Sequence, residues 1–463
     1  MRALLLALLG LSCSSPPPAV TDGGTSAVIA DASSEPSSQQ PAPEPEPKRP
    51  YPAKVRSLRL TRSVAVHAGP AGDSPNLGTV ARDTRVEVIQ AKKGEGCDKR
   101  WIEIVPRGWV CESYLEPNKR APRGLELPKL GRGTIVPGRF GKVVGGEPVA
   151  YKLPVDEGAM EMVVSRKLEG SVTVREQGVR VVDGKTYWHI GGGEWLAQEL
   201  VRIHQPARHR GVRVGDETGL SLPLAFAVDR KDPVRRVMAY PSAQAATGKR
   251  AVLARTVVEI HATHRAPDGS PVRYQIGADR WLGAGDVVFV DRAKPPPLTE
   301  PGERWVDIDL DAQTLVAYEG QTPVYVTFVS TGRRKHRTET GIFRIWIKFA
   351  ETTMNGQMAD EPSYSMATVP WTQFYAVDIA LHTAYWHDKF GIPRSHGCVN
   401  LSPRDARFLY FWTDPNLPAG WSMAHGRVQH PGSMVRVRSK DDPEPEFKGY
   451  AKKVYEARKA AVR

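Results

Sequence analysis

Four cysteines occur in the 463-residue chain, and one of them, Cys398, follows a His-Gly pair in the stretch GIPRSHGCVNLSP, residues 391–403. A thiol acts as a nucleophile through its thiolate, so a base must draw off a proton that a free cysteine mostly keeps near neutral pH. His382 offers that base, at the end of the alternating run AVDIALHT and sixteen residues before Cys398. His396 and Gly397 precede the thiol directly, and glycine admits the backbone dihedrals that aim amides at the oxyanion formed when a carbonyl is attacked. Two other uses of these residues fit less well. A buried structural thiol needs no His-Gly before it. The H-x₄-H and H-x-C spacings among His382, His387, His396 and Cys398 match no usual zinc pattern.

These side chains meet only if the chain folds back on itself. The alternation before His382 predicts a strand, with a loop returning to Cys398. After the loop, SPRDARFLYFW carries a helix start, with Ser402 as N-cap, Pro403 at the first position and Asp405 at the third. That helix begins four residues past Cys398, so its dipole helps a thiolate only slightly. Further upstream, RAKPPPLTEPGE (292–303) is a proline-rich boundary. Beyond it RWVDIDLDAQTLVAYEGQTPVYVTFVST alternates again with a turn at Glu319-Gly320, which predicts a β-hairpin opening a new sheet.

The segment ALHTAYWHDKFGIPRSHGCVNLSPRDARFLYFW (380–412) resembles the active-site segment of YkuD-type L,D-transpeptidases, whose signature is a His, a spacer and [S/T]-H-G-C-x-[N/R]. The upstream stretches VDIDLDAQTLVAYEG, VSTGRRKHRTETGIFRI and ATVPWTQFYAVDIALHT resemble that domain's earlier strands. The resemblance implies a β-sandwich catalytic domain over residues 303–438, with Cys398 as nucleophile and His382 as its base. It further implies that the Thr383 carbonyl orients the imidazole and that amides near Gly397 and Cys398 form the oxyanion hole. His396 would shape the pocket, Ser395 and Asn400 would hold the loop, and Arg394 would meet a substrate carboxylate. Tyr364, Trp371 and Trp386 fall in segments that border the family's substrate cleft. TETG (338–341) stands where the family commonly has T-P-T-G, a departure that touches a turn rather than the chemistry.

The implied substrate is a peptidoglycan tetrapeptide stem. The thiolate attacks the carbonyl at the L-centre of the third residue, typically diaminopimelate, D-Ala leaves, and a thioester remains. Another stem resolves it to a 3→3 cross-link, an envelope protein's amine to a covalent attachment, and water to an L,D-carboxypeptidase product. No cofactor or metal is implied.

The rest of the chain reads as delivery and binding apparatus, and the whole as mainly β. MRALLLALLGLSC resembles a bacterial lipoprotein signal over residues 1–12, cleaved before Cys13, which would carry lipid; a plain secretory signal with an incidental cysteine is the other reading. Ser14 after that cysteine favours the outer membrane. Residues 13–54, rich in Ser and Pro, predict a partly extended tether in the periplasm. Residues 55–118 resemble bacterial SH3-like domains, in which RWIEIVPRGWVCESYL matches the last strands. YWHIGGGEWLAQELV (187–201) and YQIGADRWLGAGDVVFV (274–290) echo it, so residues 119–292 are expected to hold diverged SH3-like units. Cys97 and Cys111, fourteen positions apart in an oxidising compartment, are candidates for a disulfide, or are two independent thiols. Residues 439–463 predict a short basic helix with a solvated face. The formal charge of +13 favours anionic partners. For an exported chain these are peptidoglycan carboxylates, anionic lipid or polysaccharide rather than nucleic acid. A non-catalytic peptidoglycan-binding scaffold, with Cys398 incidental, is the competing reading of another class.

Overall fold

In the computed structural model, residues 50–152, 162–358 and 361–462 are described; the expected signal, Cys13 and nearly all of the tether lie outside them. The described chain is mainly β, with two α-helices, α1 (Pro403–Trp412) and α2 (Gly449–Val462).

The predicted hairpin forms from Arg304–Asp309 and Thr314–Glu319, in register from Arg304 opposite Glu319 to Asp309 opposite Thr314. It continues through Thr322–Phe328, and Met434–Arg438 adds to Arg304–Asp309 in parallel. A second layer is built on the long strands Ile347–Met358 and Glu361–Ala376, flanked by Trp421–His425 and Ile379–Thr383. Leu381, Val399 and Leu401 of this layer pack with Val306, Ile308 and Leu315 of the first, and the α1 residues Ala406, Leu409 and Tyr410 join the same cluster. Alternation along each strand directs one set of side chains inward, which is the origin of this core. The start of α1 is as predicted: Ser402 caps it, accepting from the Asp405 amide at 3.2 Å, with Pro403 at its first position.

Three units precede these two layers and share one succession of elements. In the first, strands Trp101–Ile104 and Trp109–Cys111 lead through a 3₁₀ turn to Leu115–Asn118, which pairs back on Ser57–Leu60. In the second, Lys185–Gly191, Glu194–Ala197 and a 3₁₀ turn lead to Val201–Ile203, which pairs on Phe140–Val143. In the third, Pro271–Gly277, Arg280–Gly283 and a 3₁₀ turn lead to Val287–Val290, which pairs on Leu224–Ala227. Trp101, Trp109 and Trp188 are buried in these units, whereas Trp195 and Trp281 are half-buried. Cys97 and Cys111 are joined, their Cα atoms 5.6 Å apart.

These units extend the two layers. Asn76–Val80 of the first pairs with Trp421–His425. Ser171–Arg175 of the second pairs in parallel with Glu361–Ala376. Val212 and Arg213, at the start of the third, pair with Val326 and Tyr325.

The C-terminal segment forms a helix with the expected solvated basic face and adds a packed one. One stripe of α2 is packed, with Ala451 and Val454 buried and Tyr455 stacked on Phe447, while Lys452, Lys453 and Lys459 keep the solvated face. Arg458 pairs with Glu303 at 2.8 Å and Glu300 at 3.2 Å. Turn spacing of 3.6 residues puts these inward residues on one side. The basic residues signalled only the outer face.

Candidate active site

Strand Ile379–Thr383 runs parallel to Val399–Leu401, with His382 directly opposite Asn400. Cys398 lies two residues before Asn400, so the period of two puts it on the face that His382 shares. Both residues line one cavity of about 570 Å³. Cys398 is half-buried and is the free cysteine among the described residues. Its sulfur lies 3.7 Å from the Asp378 carbonyl oxygen, to which the thiol donates.

His382 is buried, and its Nδ1 lies 3.0 Å from the carbonyl oxygen of Thr383. A carbonyl only accepts, so Nδ1 carries the ring proton and Nε2 keeps its lone pair. Burial pushes this imidazole down to about 4. Burial also pushes the Cys398 thiol up to about 11, against the pull of the Ala380 backbone amide. The resting pair is therefore an uncharged thiol beside an uncharged base.

Ser395 organises the loop from within. Its hydroxyl donates to the Cys398 carbonyl at 2.5 Å and accepts from the Gly397 amide at 3.1 Å. Gly397 has a φ of 126°, and a Cβ there would come within 2.9 Å of Ile379 Cδ1. Its carbonyl accepts from Thr338 Oγ1 at 2.7 Å, which in turn accepts from the Gly332 amide at 2.8 Å. The TETG segment thus braces the catalytic loop through its first threonine. With the Gly397 amide engaged by Ser395, the Cys398 amide is the member of the expected oxyanion pair left for substrate.

His396 shapes the cavity as a plate: its ring stacks on Tyr364 at 5.2 Å, and its Nε2 lies 2.7 Å from an Arg333 guanidinium nitrogen. Trp386 lines the cavity with its ring 5.8 Å from His382, and Arg394 lines it from an exposed position. Trp371 does not reach it. Its φ of 55° turns the indole into the core, where it is fully buried, so the expectation that it borders the cleft is corrected to a packing role.

Asn400 has a partner that the motif did not disclose. His387, pushed down to about 3 by burial, accepts the Lys389 amide on Nδ1 at 3.1 Å. The proton of the neutral ring then sits on Nε2, 3.0 Å from the end of the Asn400 amide, and needs an oxygen there. That orientation leaves the Asn400 NH₂ where the side chain has no other partner among the described residues, on a residue lining the cavity.

Residues 303–455 match the family model YkuD, the L,D-transpeptidase catalytic domain, so the region that holds this site is a domain of that family. The match ends inside α2, past the boundary at 438 that the sequence led us to expect. Solved structures similar to the chain include the catalytic domain of an E. faecium L,D-transpeptidase, at 20% identity, covering 30% of this chain and all of that one with a TM-score of 0.24. An L,D-transpeptidase from Mycobacterium smegmatis shows 18% identity over 62% of this chain and 99% of its own, with a TM-score of 0.25. One from Stackebrandtia nassauensis shows 24% identity over 31% of this chain and 58% of its own, with a TM-score of 0.22. No curated protein matches the chain.

Proposed function

We propose that the chain is a cysteine-dependent L,D-transpeptidase of the bacterial envelope, acting on peptidoglycan tetrapeptide stems. The observation that carries this reading is the His382 Nδ1 contact with the Thr383 carbonyl, which presents Nε2 as a base on the face that also carries Cys398. Nε2 takes the thiol proton as sulfur attacks the carbonyl at the third residue of the stem. The Cys398 amide meets the developing oxyanion. The C–N bond to D-Ala breaks, the imidazolium returns its proton to the leaving amine, and a thioester on Cys398 remains. An acceptor amine then attacks that thioester, loses its proton to His382, and releases the thiol.

Because both resting groups are uncharged, sulfur gains its negative character only as the proton moves. Substrate binding therefore has to place the carbonyl before a nucleophile exists, which guards the site against stray electrophiles. A lipid on Cys13, with residues 13–54 as tether, would hold the enzyme at the outer membrane within reach of the wall. The three N-terminal units stand as SH3-like modules in this reading.

The test is incubation of the chain, beside Cys398→Ala, with purified disaccharide-tetrapeptide, followed by mass spectrometry. A dimer that has lost one D-Ala, absent with the variant, supports transpeptidation through this thiol. Loss of D-Ala without a dimer points to carboxypeptidase action, with water as the acceptor, or to a protein acceptor missing from the assay. Unchanged substrate, with the protein still bound to intact sacculi, moves the assignment to a wall-binding scaffold.

A further inference from the structure

Part of the wall of the catalytic cavity comes from outside the catalytic domain. Lys142, Ser171, Thr173 and His204 line it, and all four belong to the second N-terminal unit. That unit is fixed in place by several independent contacts. Ser171, Val172 and Thr173 pair in parallel with Tyr364, Ser365 and Met366. Gly170, at a φ of 77°, allows the approach, since a Cβ there would meet the Ser363 carbonyl oxygen at 2.3 Å. Arg175 pairs with Glu351 at 2.7 Å, and Phe140 stacks on Tyr385 with centroids 4.0 Å apart. Tyr385 and Trp386 in turn stand edge to face at 4.9 Å, so the unit packs against the element that carries the cavity's own tryptophan.

The chemistry of this wall is that of an anion acceptor. Lys142 is exposed, lies opposite Thr173 in the ladder, and makes no ion pair among the described residues. Ser171 and Thr173, two apart on one strand, present their hydroxyls on the same side. His204 has a buried Nε2 with no hydrogen-bond partner among the described residues. Tyr364, the ladder partner of Ser171, is the residue stacked on His396, so the wall continues directly into the thiol loop. Among the described residues that line the cavity, Lys142 and Arg394 stand against one carboxylate, that of Asp378.

We propose that Lys142, with Ser171, Thr173 and His204 beside it, forms a subsite that holds a carboxylate of the stem peptide, making the second N-terminal unit a specificity element of the enzyme. This rests on the reading under Proposed function. The stem offers three such groups near the scissile carbonyl: the side-chain carboxylate of the third residue, the α-carboxylate of the acidic residue before it and the terminal carboxylate of the D-Ala that leaves. Lys142 positions substrate and takes no part in bond breaking.

The test uses the full chain and initial rates of D-Ala release from disaccharide-tetrapeptide. Lys142→Gln is expected to raise KM about tenfold with kcat unchanged, and Lys142→Arg to restore most of it. Stems amidated at one of the three carboxylates at a time then identify the ligand, because the one that Lys142 holds makes wild type and Lys142→Gln equal when amidated. Equal KM values on the free-acid stem overturn the proposal, as does a tenfold difference that survives amidation of each of the three carboxylates in turn. A wild-type chain that releases no D-Ala overturns the transpeptidase reading and this subsite with it. Activity in the wild type with an insensitive Lys142 overturns the subsite alone.

Discussion

The Ser395 hydroxyl bridges the two ends of a single turn of backbone, donating to the Cys398 carbonyl at 2.5 Å while accepting the Gly397 amide at 3.1 Å. It therefore fixes the His396–Gly397 peptide plane and the plane that follows the nucleophile. Ser395→Ala leaves both polar groups without that partner. The expected result is a fall in kcat of about tenfold to a hundredfold and a loss of about 1–3 kcal/mol in unfolding free energy. Steady-state kinetics and urea titration check the two effects separately. Thr338→Val, which removes the brace on the Gly397 carbonyl, should act in the same direction.

Cys398→Ala should abolish thioester formation altogether, and His382→Ala should slow it by about 10²–10⁴-fold while leaving stem binding in place. Intact-mass spectrometry after brief exposure to substrate reads the first; single-turnover rates read the second. If His382→Ala acylated at the wild-type rate, another base would have to be sought.

The uncharged resting pair has a pH signature. With burial holding the thiol near 11, alkylation of Cys398 by iodoacetamide should be slow in mildly acid solution and climb through the alkaline range. An inflection below neutrality would show a thiolate–imidazolium pair instead. Substrate turnover follows a different group: it needs neutral His382, so it should persist through mildly acid solution and fall only as pH drops through about 4.

The two tryptophans should separate binding from stability. Trp371→Ala removes a fully buried indole from the core and is expected to cost about 3–5 kcal/mol. Trp386→Phe keeps an aromatic wall but trims the cavity lining, and should appear in KM with little change in Tm. Thermal unfolding beside KM measurements decides the assignment of each.

Three histidines shielded from water make the fold acid-sensitive. Burial lowers His209 and His382 to about 4 and His387 to about 3. The unfolded chain gains protons on these rings as pH falls below the ordinary histidine value of about 6.5, while the folded chain does not. Their contribution is thus complete above about 6.5 and is lost as pH falls towards 4, on the order of 3 kcal/mol for each ring. Urea midpoints that stay level from neutrality to about pH 4.5 would contradict this; His209→Phe should flatten the slope.

What could be read from the sequence was what is local in it. His382 and Cys398 lie sixteen residues apart on one fold-back, and Ser402, Pro403 and Asp405 announce α1 within four positions. The recurrent hairpin of the N-terminal units was legible for the same reason. Thr338 was passed over because a turn residue gives no sign of which carbonyl it will reach. Lys142 and His204 were invisible as site residues, since only long-range strand pairing brings them to the cavity and no spacing encodes it. Trp371 misled because an aromatic residue in a cleft-bordering segment looks the same whether its backbone turns it outward or, at a φ of 55°, inward.

The shared ladders have a consequence for anyone who would cut this protein apart. Excising the catalytic domain near Glu303 would strip Asn76–Val80 from Trp421–His425 and Ser171–Arg175 from Glu361–Ala376. Each cut bares a row of amide and carbonyl groups on an open strand edge, and such edges recruit whatever strand is nearest, including a second copy of themselves. The N-terminal units are in this sense the chain's own guard against sticking to its neighbours, a role that rests on the hydrogen bonds of these ladders.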